Sequence, residues 1–150
     1  MIILQVGVKI LLHNKENKYL LLRRSAEKYP DVRGRWDIVG GRINPGTTLL
    51  ENLKREVQEE TGLSIDGAPQ LIAAQDILST ADRQVVRLTY VGRVAGGAVV
   101  LDVTENDMYK WVTWEEMSEM DDLDMYVREL LNDISLRLVI KKAEVPRKIK

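Results

Sequence analysis

Glu56, Glu59 and Glu60 fall within five consecutive residues of a helix-like run, and Gly40 and Gly41 stand a short loop ahead of it. Carboxylates that close repel one another, so burial or crowding drives at least one toward protonation unless a cation sits among them. An all-oxygen set of this kind suits Mg2+ or Mn2+ rather than zinc or copper. The two glycines, having no side chains, let a backbone carbonyl or amide come close to a metal or a phosphate. Loop and helix together read as a cation-phosphate site. The competing reading makes "REVQEE" a solvated helix face on which Arg55 pairs with Glu51 and Glu59 at i−4 and i+4.

Those residues need a scaffold, and the bulk numbers limit what kind. The chain has 150 residues, 45% of them hydrophobic, which fits one globular domain over 1–150. Its 22 basic and 23 acidic side chains nearly cancel, so no global field draws it to DNA, RNA or a membrane, and an anionic ligand must be held locally. With no cysteine, disulfides, thiolate nucleophiles and thiolate-zinc sites are excluded; with one histidine, so are multi-histidine metal sites. His13 is expected in a solvated hairpin turn. The apolar start is broken by Gln5 and Lys9 and lacks a basic leader, from which a soluble, cytoplasmic protein is expected.

The apolar pattern then supplies the elements. Leu4, Val6, Val8, Ile10 and Leu12 alternate with other residues, predicting a strand over 2–13, and "YLLLRR" after the polar "NKENK" predicts its hairpin partner. A polar loop over 25–35 leads to a short strand at "WDIVGG", and Asn44-Pro45-Gly46-Thr47 has the composition of a type II turn. Thr48 with Glu51 forms a capping-box pattern and Gly62 suits a left-handed C-cap, so a helix is predicted over 48–61 with Leu50, Leu53 and Val57 on its buried stripe. Further strands are predicted at 70–78 and 84–94, the latter with Val86, Leu88, Tyr90 and Val94 alternating with Arg87, Thr89 and Arg93. "MYKWVTW" reads as a strand carrying structural Trp111 and Trp114, and the apolar spacing from Leu123 to Leu138 predicts one long C-terminal helix. Strands interleaved with helices imply a layered α/β architecture.

The segment 40–63, "GGRINPGTTLLENLKREVQEETGL", resembles the Nudix box, G-x5-E-x7-R-E-U-x-E-E-x-G-U with U an aliphatic residue. Gly41, Arg55, Glu56, Val57, Glu59, Glu60, Gly62 and Leu63 match at the box spacing, and Thr47 stands where the box has an acidic residue. The likeness continues outside it, in "YLLLRRS" followed by "GRWDIVGG", with Val39 in place of the usual proline, and in "ENDMYKWVTWEEM".

The resemblance implies a Nudix-type α/β/α sandwich around a mixed β-sheet and metal-dependent hydrolysis of a nucleoside diphosphate linked to another group. By position it implies that Glu56, Glu59 and Glu60 bind Mg2+ or Mn2+, with the Gly40 carbonyl as a further ligand. It implies that Arg55 orients the acidic helix, and that Glu105 is the distal ligand or general base. Among the remaining residues, Arg23, Arg24, Arg35 and Arg42 are candidates to grip phosphates, with solvated surface arginines as the alternative. Trp36 is a candidate to stack on a base, against the commoner reading of a tryptophan packed into the core. The expected partner is a nucleotide-type small molecule. Neither DNA nor a membrane is expected, and the basic tail 141–150 reads as a solvated terminus rather than an RNA contact. A homodimer is compatible with the family. Two rivals stand beside the enzyme: a Nudix-fold binding or regulatory module without turnover, suggested by Thr47, and a structural α/β domain with no metal affinity.

Overall fold

The computed structural model describes residues 1–144; the end of the basic tail, 145–150, lies outside the described residues. The alternating N-terminal segment forms β1 (Ile3–His13), which turns through 14–18 into β2 (Tyr19–Arg24). After the polar loop come β3 (Trp36–Arg42) and α1 (Leu49–Thr61). Then follow β4 (Ile65–Thr80), β5 (Arg83–Val94), β6 (Asn106–Val112), α2 (Trp114–Ser118), α3 (Met125–Leu131) and α4 (Ile134–Ala143).

The strands make one mixed sheet in the order β4-β5-β1-β3-β2-β6, in which β1 and β5 are parallel and the other neighbours antiparallel. One face packs Val8, Ile10, Leu20 and Val39 against Leu53 and Val57 of α1. The other packs Leu11, Tyr19, Leu21 and Ile38 against residues of α2, α3 and α4, among them Met117, Val127 and Ile140. The expected α/β/α layering is therefore present. Fully buried side chains such as Leu53 and Val57 stabilise it by about 1.5–3 kcal/mol each.

Several elements differ from the sequence expectation. β4 begins at Ile65 rather than 70 and carries register shifts around Asp66/Gln70 and Leu71/Ala73, so Gly67 and Pro69 mark an irregular strand rather than a break. The strand at "MYKWVTW" ends at Val112, because Thr113 caps α2 in a capping box with Glu116; Trp114 is thus a buried helical residue. The single C-terminal helix is two: Asn132 ends α3, and the Asp133 carboxylate accepts from Leu136 N at 3.2 Å and starts α4. His13 is no solvated turn residue. It is 1% exposed at the end of β1, packed by Tyr19, and burial lowers its pKa.

Candidate active site

The glycine loop and α1 are joined by backbone geometry that only these residues allow. Gly40 has φ +138°, and a Cβ there would lie 2.0 Å from the Val8 carbonyl oxygen of the paired strand. Gly41 serves α1 instead: a Cβ on it would meet Glu56 Oε2 at 2.7 Å, so its bareness lets the Glu56 carboxylate lie against β3. Gly46 has φ +91°, as the third position of a type II turn requires. The capping box at Thr48 and the left-handed C-cap at Gly62 are both formed.

Asn52 ties the turn to the helix. Its amide donates to Thr47 Oγ1 at 2.7 Å and Thr48 O at 2.6 Å, while its Oδ1 accepts from Asn44 N and from Arg55 Nη2. Thr47, at the atypical box position, donates to Asn44 O and lies off the cleft, and Arg55 takes Asn52 as a partner there. Asn52 also displaces Leu50 from the expected stripe: Asn52 is buried with Leu53, Val57 and Thr61, whereas Leu50 is 41% exposed on the first turn.

The three helix carboxylates are not equivalent. Glu60 is half-buried, and its carboxyl is pushed up to about 8, first by desolvation and further by the neighbouring Glu56, with Lys9 opposing. The upward shift makes Glu60 the carboxyl of this group that most readily holds a proton. Glu59 is exposed and accepts from Arg55 Nη1 at 3.1 Å; the same nitrogen donates to Glu56 Oε1 at 2.9 Å. Among the described residues no three acidic or histidine side chains already converge as a metal shell. Glu56 and Glu60 nevertheless fit a divalent cation, being two neighbouring oxygen donors whose mutual repulsion a cation would relieve. The Gly40 carbonyl does not fit as it stands, because it accepts from Lys9 Nζ at 3.0 Å.

Below them lies a buried ion cluster that the sequence did not reveal. Asp37, 3% exposed, accepts from Arg87 at 3.0 Å, Arg24 at 2.8 Å and Lys9 at 3.1 Å. Burial alone would raise its pKa, but Arg87, Lys9 and Arg24 together hold it well below the usual carboxylate range. Arg87, 4% exposed, also pairs with Asp124 at 3.4 Å and lies over the Tyr126 ring. Asp124 is shifted upward by burial and by Asp37. Arg87 and Thr89 belong to the polar set that alternates with apolar residues along β5. They are buried because that strand lies inside the sheet with α3 and α4 across it.

Acidic helix and ion cluster border one cleft of about 950 Å³. Glu105 lines it from the turn just before β6, held by Lys28 and by Tyr29 Oη at 2.7 Å; these hydrogen bonds lower its pKa. Arg24 and Arg42 line the cleft with Gly40, Glu56, Glu59 and Glu60. Arg42 has no acidic partner among the described residues, and partial burial together with Arg83, Arg24 and Arg87 lowers its pKa.

Three expected substrate contacts lie elsewhere. Arg23 and Arg35 both bind Asp107, at 2.6 and 2.9 Å, outside the cleft lining. Trp36 packs in the core under Arg23 and Lys110, with the lysine 4.9 Å from its ring centroid, and offers no face to a base. Lys9, Asp37, Arg87, Asp124 and Tyr29 line the cleft without having been singled out. The available signal was weak: Asp37 and Arg87 each interrupt an apolar strand, which marks a buried charge only once its partner is known.

Comparison with known proteins bears on this site. The model of the NUDIX domain family matches residues 3–133. A Bacillus subtilis (strain 168) protein provisionally named an 8-oxo-dGTP diphosphatase is 31% identical over 107 residues, 71% of this chain and 65% of its own length. A human 8-oxo-dGDP phosphatase is 34% identical over 84 residues, 55% of this chain and 23% of its own length. The chain thus spans less than two thirds of either relative. The solved structure of the MutT protein from Methanosarcina mazei Go1 superposes with a TM-score of 0.75 at 28% identity, covering 93% of this chain and 97% of that one.

Proposed function

Because this chain belongs to the NUDIX domain family, we propose that it is a hydrolase of nucleotide phosphoanhydrides. Water attacks phosphorus in a nucleoside di- or triphosphate, or in a nucleotide-sugar type substrate, the P–O–P bond breaks, and a nucleoside monophosphate is released with orthophosphate, pyrophosphate or a sugar phosphate as the other product. The observation that carries this reading is one cleft lined both by Glu56, Glu59 and Glu60 and by Arg42, which has no acidic partner among the described residues. The carboxylates can take a cation and Arg42 an anion.

Glu56 and Glu60, with Glu59 turned from Arg55, would hold Mg2+ or Mn2+. The ion supplies charge neutralisation at the diphosphate and a more acidic bound water. Arg55 positions the helix carboxylates through Glu56, Glu59, Asn52 and the Arg42 carbonyl. Arg42 and Arg24 meet phosphate oxygens. Glu105, kept ionised by Lys28 and Tyr29, takes the proton of the attacking water. Relatives named for 8-oxo-dGTP and 8-oxo-dGDP make oxidised guanine nucleotides the first substrates to try.

The test is a panel of these nucleotides, canonical nucleoside triphosphates and nucleotide sugars, incubated with Mg2+ or Mn2+ and analysed for nucleoside monophosphate. Monophosphate from at least one member, abolished by chelation, supports the reading. Tight binding without product on every member supports the binding module instead.

A further inference from the structure

Lys9 lies in the middle of β1, opposite Gly40 in the antiparallel β1–β3 pair, with a side chain only 14% exposed. A lysine ammonium has three donors and no acceptor. Asp37 Oδ2 at 3.1 Å, Ile38 O at 3.3 Å and Gly40 O at 3.0 Å account for all three. No donor is left for a phosphate, although the residue lines the cleft. One carboxylate and two carbonyls converging on a point of positive charge are also the donor set that a hard metal ion takes.

We propose that the Lys9 ammonium is the resident cation of this oxygen cage, holding the Gly40 carbonyl so that divalent ions bind this chain through the α1 carboxylates alone. The inference rests on the reading of those carboxylates as metal ligands and goes beyond it by assigning Lys9 a role. A fixed positive charge beside Glu60 weakens the attraction of the acidic helix for a second cation. Removing it leaves three oxygens facing the cleft, while Arg24 and Arg87 still neutralise Asp37.

Metal-free full-length protein is titrated with Mn2+ by calorimetry, with the free ion followed by electron paramagnetic resonance, for wild type, Lys9→Met and Arg24→Met. Lys9→Met is expected to bind an additional ion or to bind Mn2+ about tenfold more tightly. Arg24→Met, which frees neither carbonyl, is expected to gain less. Equal stoichiometry and affinity in wild type and Lys9→Met overturn the proposal; so does an equal gain in both variants, which would reduce it to general electrostatics. Should Lys9→Met fail to fold, nitrogen-15 NMR of the wild-type lysine ammonium groups decides. Slowly exchanging Lys9 protons that persist at saturating Mg2+ support the cage, and their release overturns it. Hydrolysis by the wild type in the nucleotide panel is a separate readout, so the two readings can fail independently.

Discussion

Asp37 carries more of the cleft floor than any acidic residue of the helix. Three cations converge on it below the surface, and removing its charge would leave them uncompensated, which costs more than the ion pairs themselves contribute. Asp37→Asn is expected to lose about 3–5 kcal/mol of stability, read from urea unfolding. Its depressed pKa means that the stabilisation is present above the ordinary carboxylate range and is lost only as pH falls well below it. Glu60 has the opposite sign and a different use. Glu60→Gln is expected to lower turnover about a thousandfold while leaving the metal-free fold intact, because a neutral amide suits a site where the carboxyl is already protonated at pH 7. Steady-state kinetics beside a thermal melt in chelator checks both halves. At this scale the acidic triplet was legible, since its spacing lies within one short run, but the difference among its members was not. Glu59 is exposed on Arg55 and Glu60 is half-buried, and that contrast depends on β3 passing beneath the helix.

Among the elements, α1 follows the sequence most closely, because both its ends are set by contacts a few residues apart. Thr48→Ala removes the side chain that accepts from Glu51 N and is expected to cost about 1 kcal/mol in thermal or urea unfolding. Gly40→Ala is a harsher change. The new Cβ would collide with the Val8 carbonyl at a positive φ, so the β1–β3 pair must open, with a loss of about 3 kcal/mol or more and of the Lys9–Gly40 contact. The C-terminal region shows where element reading fails: one apolar period runs through Leu130, Ile134 and Leu138, yet Asp133 interrupts it by capping α4 with its own carboxylate. β5 fails for another reason. Its alternation is real, but the polar members Arg87 and Thr89 are buried while Val86 and Leu88 of the apolar set are only half-buried.

For the whole molecule, proton and metal binding are linked through Glu60. Its carboxyl has an ordinary value of 4.5 and a folded value of about 8, so between those limits the native state holds a proton that the unfolded chain lacks. The metal-free protein is therefore expected to lose stability as pH rises from about 4.5 toward about 8. Mg2+ competes with that proton and should raise the melting temperature more at pH 8 than at pH 6. Melts of wild type and Glu60→Gln, in chelator and in Mg2+, isolate this share from that of Asp124, whose upward shift acts in the same direction.

Local order was within reach of the linear chain. Alternation in β1, the cap residues of α1, the type II turn and the 40–63 spacing all express contacts between near neighbours, and they were enough to indicate the layered fold and the acidic helix. The pairings beneath the cleft were not within reach, because those groups meet across long separations: Lys9 with Asp37 over 28 positions, Arg87 with Asp37 over 50 and Tyr29 with Glu105 over 76. A charge in an apolar strand announces that it needs a partner, but only the packed sheet, with helices on both faces, brings one near and removes the water that would otherwise serve.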